Sequence, residues 1–379
     1  MRITEVRATP IPARGSSWLL ESVIANPMSI YPRYKARRSS WFHPWGDALV
    51  QVRTDEGITG YSMSTGGPAA ALIISEHLSR FLLGEDPFNV EMLWDQMFRA
   101  TLPYGRKGLP IMAISAVDQA LWDIIGKAKG EPVYRLLGGK TKDRIPVYLT
   151  GNDVDLYVER GYRRVKLAMP YGPADGPEGM RLNEELVAST RDKVGPEGVI
   201  MLDCYMAWDV EYTIRMADRL APYRVKWIEE CLPPDDIDGY AELNRKITST
   251  AIATGEHEYT RFGFHELISR RAAAILQPDV NWVGGITEGR RIVAMASAAG
   301  LPVIPHAGGL QSAALHLMMA SVNCPMAECV IVHRPGDQPA RPLLRGLPEP
   351  VDGYIVPSDK PGLGLELDEE LLAELTAAA

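Results

Sequence analysis

Val199-Ile200-Met201-Leu202-Asp203, Val225-Lys226-Trp227-Ile228-Glu229-Glu230 and Thr250-Ala251-Ile252-Ala253-Thr254-Gly255-Glu256-His257 are three short apolar runs that each end in acid. Such a run, stopping at a carboxylate, reads as a buried parallel strand whose C-terminal end faces a site. The acids recur about every 25 residues, room for one strand, one helix and two loops. Three carboxylates at the same place in successive units converge at one end of a barrel. Their repulsion calls for a cation, and hard oxygen ligands suit a hard divalent ion such as Mg2+.

The same alternation extends in both directions. Apolar runs begin near Ile145, Arg163, Val199, Val225, Thr250, Ala273, Leu301 and Met326, with helical stretches between most of them. Strands separated by helices make a parallel α/β structure, and about eight of them make a closed (β/α) barrel. An open doubly wound sheet would bring a glycine-rich loop after its first strand, which Thr150-Gly151-Asn152-Asp153 does not supply.

Residues 1–130 read differently, with strands first and helices afterwards: an α+β capping domain. Ile3 to Pro10 is a strand, Asp47 to Ser64 a hairpin, and Ala69–Leu83, Val90–Ala100 and Ile111–Lys129 are helices. Residues 13–46, rich in aromatic and basic side chains, read as a lid loop. The barrel is expected over 131–332. The proline-rich tail, 333–379, is expected to wrap back and complete the capping domain, with a last short helix at Leu367 to Leu375.

Composition removes several classes. A net charge of -8 argues against a nucleic-acid partner. No run approaches the roughly 20 apolar residues of a membrane span, and the start lacks the apolar core of a signal peptide. Cys204, Cys231, Cys324 and Cys329 show no C-x-x-C spacing, which fits reduced thiols in a cytoplasmic protein.

Reading the expected strand ends, where a barrel carries its site, yields the candidate residues. They are Lys166 on the second strand, Asp203, Glu229 with Glu230, Glu256 with His257, Asp279, His306 and Glu328. Here the chain resembles the enolase superfamily, within it the mandelate racemase group, and most of all acid-sugar dehydratases of the L-rhamnonate dehydratase type. The likeness rests on Ala116-Val117-Asp118-Gln119-Ala120-Leu121-Trp122-Asp123, Leu136-Leu137-Gly138-Gly139, Met201-Leu202-Asp203-Cys204 and Trp227-Ile228-Glu229-Glu230-Cys231-Leu232-Pro233-Pro234. It continues in Gly255-Glu256-His257, Gln277-Pro278-Asp279, Pro305-His306 and Pro361-Gly362-Leu363-Gly364.

The resemblance implies Mg2+ ligands at Asp203, Glu229 and Glu256, and a base at His306 oriented by Asp279. The use of a His or Lys base with Mg2+ on an ene-diolate is a known pattern of this superfamily. It further implies catalytic or hydroxyl-binding parts for His257 and Glu328, substrate contacts by Lys166 and Glu328, and a homo-oligomer. Arg37 falls where a lid arginine could meet the substrate carboxylate or hydroxyls. The implied reaction removes the C2 proton of an aldonate and expels the C3 hydroxyl, giving a 2-keto-3-deoxy acid.

Two departures from the pattern bear on this. Many relatives carry two lysines, spaced one apart, at the end of the second strand; the second place here is Ala168. Losing one base favours one-sided dehydration over racemisation or epimerisation of a 2-hydroxy acid. The rhamnonate type also carries a histidine in its lid upstream of Pro27-Met28-Ser29, where this chain has Trp18, Leu19 and Glu21, and His43 comes later. That leaves room for another sugar acid, such as a five-carbon aldonate. The rival from outside enzymology is a non-catalytic acid-sugar binding protein, which would have no need of His306 and Asp279.

Overall fold

In the computed structural model, which describes residues 1–13, 21–42, 44–330 and 341–377, two structural regions meet along one long helix. The first is an antiparallel sheet of β1 (Ile3–Ile11), β2 (Asp47–Thr54) and β3 (Thr59–Ser64), in that order. The β2–β3 hairpin turns at Gly57, whose φ of 78° suits glycine. Helices α1 (Gly67–Glu76), α2 (Val90–Thr101) and α3 (Leu109–Lys129) cover the sheet, followed by the one-turn α4 (Val133–Leu136).

Helix α3 has clear start and stop signals. Pro110 sits in its first turn, and Gly130 ends it in the left-handed conformation, at φ 67°. Its 21 residues include an 18-residue window of mean hydropathy 1.3, apolar enough to cross a membrane, yet 89% of that window is buried inside the protein. Among the described residues, the expectation that no apolar run reaches spanning length therefore has this one exception. Its cause is that α3 is apolar on nearly every face because the sheet, α1, α2 and the barrel all pack on it.

The polar residues of α3 bond outward to other elements. Asp123 Oδ2 accepts from Tyr61 N (2.9 Å) and Lys127 Nζ (2.6 Å), while Oδ1 accepts from Leu363 N (2.8 Å). One buried carboxylate thus joins the hairpin, the helix and the tail.

The second region is a parallel sheet that curls as β10–β4–β5–β6–β7–β8–β9. Its strands are β4 (Ile145–Thr150), β5 (Arg164–Ala168), β6 (Val199–Asp203), β7 (Trp227–Glu229), β8 (Ala251–Thr254), β9 (Ile275–Leu276) and β10 (Ala327–Cys329). Between them lie α5 (Val154–Glu159), α6 (Gly176–Val194), α7 (Val210–Leu220), α8 (Ile237–Lys246), α9 (Thr260–Ser269), α10 (Gly285–Ala298) and α11 (Ser312–Met319). This is a modified (β/α) barrel, as expected. The seventh expected strand differs: it is a single bridge, Leu276 to Val303. Pro302 and Pro305 bracket it, and a proline has no N–H to extend a ladder.

The tail crosses back over both parts. Its β12 (Tyr354–Ile355) pairs with the start of β4, and β11 (Leu344–Arg345) pairs with β13 (Glu366–Leu367) before α12 (Glu369–Ala377). Leu343, Leu367, Leu371 and Leu372 bury against Ile11 and Leu49 of the first sheet. Of the expected lid, Trp18, Leu19 and His43 lie outside the described residues.

Replacing Asp123 by Ala strands two backbone N–H groups and a lysine. The expected loss is about 3 kcal/mol, read as a lower thermal midpoint together with faster proteolytic cleavage within residues 341–377. An unchanged midpoint and an unchanged cleavage pattern would show that the tail is held without this carboxylate.

Candidate active site

Strand periodicity explains how the site is assembled. Residues two apart on a strand share a face. Trp227 and Glu229 therefore both point into the barrel, and Trp227 Nε1 donates to Glu229 Oε2 at 3.0 Å. On β5 the same rule turns Lys166 inward, where it is fully buried. Its ammonium lies 2.6 Å from Glu229 Oε1, 2.8 Å from Glu328 Oε1 and 3.5 Å from Asp203 Oδ2. Its hydrogen bond goes to Glu229, and the other two carboxylates lie within ion-pair reach of the same ammonium.

Burial raises Glu229 to about 8, against the pull of Lys166. It raises Asp203 as well. Glu256 rises to about 7, again through burial, opposed by His306 and His257. Glu328 goes the other way. Burial would raise it, but Lys166 and His306 outweigh that and bring it down to about 2. Its oxygens also accept from Thr150 Oγ1 and from Ala307 N (2.9 Å).

Glu256 follows Gly255, whose φ is 127° and where a Cβ would stand 2.9 Å from the Phe264 ring. Only glycine makes that bend, and the bend delivers Glu256 to the cluster. Ligand oxygens of Asp203, Glu229 and Glu256 lie within 4.8 Å of one another. Oxygens around one Mg2+ stand about 3–4 Å apart, so this all-oxygen set fits the ion with small side-chain adjustments.

Two imidazoles face Glu256, each backed by a carboxylate. His306 Nδ1 lies 2.7 Å from Asp279 Oδ2 and its Nε2 lies 3.3 Å from Glu256 Oε1. Asp279 also accepts from Gln311 Nε2 (3.0 Å) and Asn281 N (2.7 Å). With every other partner donating, the hydrogen of that pair belongs on Nδ1, and Nε2 faces Glu256. His257 Nδ1 lies 2.8 Å from Glu230 Oε2, and its Nε2 lies 3.9 Å from Glu256 Oε1. Burial opposes protonation of both rings. Glu256 and Asp279 outweigh it at His306, and Glu230 and Glu256 lift His257 to about 9. The Trp282 ring packs against both, 5.3 Å from His257 and 5.5 Å from His306.

The lid reaches the barrel mouth at named points. Ala25 N donates to Met169 O (2.9 Å), and Lys35 pairs with Asp175. Arg37 is not brought to the cavity: its guanidinium lies 3.4 Å from Glu21 and is 67% exposed. The next residue makes the contact instead. Arg38 hydrogen-bonds the Tyr205 hydroxyl and stacks 4.3 Å over its ring, and Tyr205 packs edge-on to His257. A short helical turn at Arg38–Ser40 sends the two neighbours in different directions, which one-dimensional text does not reveal.

Sequence reasoning gave no part to Gln277 or Trp282, and it named Glu230 only as the neighbour of Glu229, without its partner. Gln277 Nε2 donates to Glu229 Oε2 at 2.6 Å. The alternation of side chains along a strand would turn Glu230 away from Glu229. Instead Glu230 leaves β7 at φ 44°, a left-handed bend rare for a non-glycine residue, and its carboxylate meets His257. Of the residues singled out beforehand, the structure brings Lys166, Asp203, Glu229, Glu256, His257, Asp279, His306 and Glu328 together and leaves Arg37 outside.

An acidic cation cradle and carboxylate-backed imidazoles at a barrel mouth are the equipment for removing a proton beside a carboxylate. The chain belongs to the enolase superfamily. Residues 151–371 match the family "Enolase C-terminal domain-like" and residues 43–138 match "Mandelate racemase / muconate lactonizing enzyme, N-terminal domain". It is 41% identical to the L-rhamnonate dehydratase of Saccharopolyspora erythraea, with 98% of each chain covered. A crystal structure of rhamnonate dehydratase from Gibberella zeae complexed with Mg is 39% identical with a TM-score of 0.93, covering 98% of this chain and 95% of that one. A racemase from Streptomyces coelicolor A3(2) with bound magnesium is more distant, at 28% and 0.79, covering 98% and 99%.

Raised Glu229, Glu256 and His257 all bind protons more tightly folded than unfolded. Above the usual carboxylate range the folded state therefore loses stability as pH rises. The metal-free protein should melt lower at about pH 8.5 than at about pH 6. Mg2+ at about 100 times its Kd should add about 2.7 kcal/mol, and Asp203→Asn should abolish most of that gain. Coincident melting curves with EDTA and with Mg2+ would place the ion elsewhere.

Proposed function

We propose that His306 removes the C2 proton of an acid sugar and that the same imidazole then protonates the departing C3 hydroxyl. The chain is an Mg2+-dependent acid-sugar dehydratase, a hydro-lyase. The observation that carries our assignment of its base is the His306–Asp279 contact, which leaves Nε2 facing the carboxylate that closes the cation cradle.

The residues divide the work as follows. Asp203, Glu229 and Glu256 would hold the ion. When bound, it supplies positive charge beside the substrate carboxylate, where negative charge grows as the proton leaves. His306 Nε2 takes the proton from C2, and Asp279 steadies the imidazolium that results. The C2–H bond breaks, electrons move to form C2=C3, and the C3–O bond breaks as His306 returns its proton to the hydroxyl. Water leaves. The enol takes a proton at C3 while its hydroxyl loses one, and a 2-keto-3-deoxy acid results. His257, held charged by Glu230, serves as the proton donor to this last step.

Lys166 and Glu328 take supporting parts in this reading. Lys166 neutralises the acids around it, and Glu328 presents a fixed negative charge near the base instead of a free hydroxyl acceptor. Arg38 replaces Arg37 as the lid cation that meets the substrate. A six-carbon aldonate of the L-rhamnonate kind is the first substrate to try, and a cytoplasmic homo-oligomer is the expected setting, in keeping with four buried free cysteines. Racemisation is disfavoured by Ala168. Its backbone is held at both ends by Asn152 (2.8 and 3.0 Å), and its methyl group offers no second base.

A panel of aldonates incubated in D2O with Mg2+ should yield EDTA-sensitive 2-keto acid, with no inverted, deuterated substrate returned. His306→Asn should cut kcat by about 10²–10⁴-fold, and Arg38→Met should chiefly raise KM. Inverted deuterated substrate would make the enzyme an epimerase; binding without any turnover across the panel would leave only a binding protein.

A further inference from the structure

The segment from Asp279 to Gly284, between β9 and α10, carries two cavity groups, Asp279 and Trp282, but is held from the other domain. Gln119, buried on α3, donates its side-chain amide to Val280 O (3.2 Å) and to Asn281 Oδ1 (3.0 Å). Trp282 Nε1 donates to Thr65 Oγ1 (2.6 Å), Trp94 Nε1 to Gly284 O (2.8 Å), and Gly284 N to Ser115 Oγ (2.8 Å). Thr65, Trp94, Ser115 and Gln119 all belong to the sheet-and-helix region, so the capping domain grips this barrel loop along its length.

One of these grips leads directly to the base. Gln119 fixes Asn281; Asn281 N donates to Asp279 Oδ1 (2.7 Å); Asp279 Oδ2 meets His306 Nδ1 (2.7 Å). An amide is the group for this task, because its two N–H bonds satisfy a backbone carbonyl and a side-chain carbonyl at once. No hydrocarbon of the same size does so, and both acceptors would otherwise be left unpaired at a domain boundary.

We propose that Gln119 is a positioning residue for the reaction: through Asn281 it sets Asp279, and through Asp279 the angle at which the His306 ring faces the substrate. The inference rests on the reading of His306–Asp279 as the base pair. It makes the capping domain part of the catalytic apparatus at a place remote from the lid. A small misalignment of a base is felt strongly in rate and weakly in binding.

The test uses the full-length Mg2+-loaded enzyme and the aldonate that it turns over. Gln119→Met should lower kcat about 10–100-fold, as loss of outer supporting groups does, with KM changed little. The downfield proton signal of the His306–Asp279 hydrogen bond should shift or broaden. Asn281→Ala, which removes the acceptor without touching the α3 core, should reproduce both effects. Adding Gln119→Met to Asp279→Asn should cost little further, since the two act through one contact. If Asp279→Asn itself retains kcat, the base-pair reading fails. If Asp279→Asn loses activity while Gln119→Met and Asn281→Ala keep kcat and the proton signal, the relay is wrong and Gln119 only joins domains.

Discussion

A single buried ammonium holds the centre of this molecule. Lys166 lies among Glu229, Glu328 and Asp203 at the C-terminal end of the barrel, with no exposure to solvent. Burying one ion costs several kcal/mol, and such a cluster is tolerable only when charges face opposite charges in good geometry. The carboxylates of Asp203, Glu229, Glu230, Glu256, Asp279 and Glu328 outnumber Lys166, His257 and His306 even with both rings protonated. Ligand oxygens of Asp203, Glu229 and Glu256 converge within 4.8 Å of one another, an all-oxygen set whose charge a dication would balance. Lys166 therefore secures the floor of the site so that the remaining acids can stay poised without collapsing on one another.

The backbone is bent to serve the same cluster. Tyr205, Met206, Glu230 and Ala307 all adopt positive φ although none is glycine. Each conformation costs roughly 1–3 kcal/mol, and each has an identifiable return, for Met206 a hydrogen bond from its N–H to Glu230 O at 2.6 Å. Ala307 aims its N–H at Glu328, Glu230 swings its carboxylate to His257, and the Tyr205 bend brings its N–H to Asp203 Oδ1 at 3.0 Å. Strain concentrated at strand ends is what a rigid barrel permits, because the strands beneath are fixed by parallel pairing and a packed interior.

This division explains what could be read from the residues alone. Runs ending at Asp203, Glu229 and Glu256 obey the period of a strand, so the cradle and the barrel were visible as text. His306 and Asp279 also sit directly after apolar runs. What escaped was everything decided after a strand ends. Glu230 breaks the alternation by a left-handed residue, Arg38 takes the place foreseen for Arg37 through a helical turn, and the seventh strand shrinks to one bridge between two prolines. Contacts between distant segments, such as Gln119 to Asn281, leave no local periodic trace.

The wall of the cavity is a row of side chains rather than a ring. Arg38 lies over Tyr205, Tyr205 meets His257 edge-on at 5.7 Å, and Trp282 packs against both His257 and His306. The row starts on the lid and ends at the base, with the acids of the cradle alongside. Each imidazole packed against Trp282 stays tied to its own carboxylate, His257 to Glu230 and His306 to Asp279.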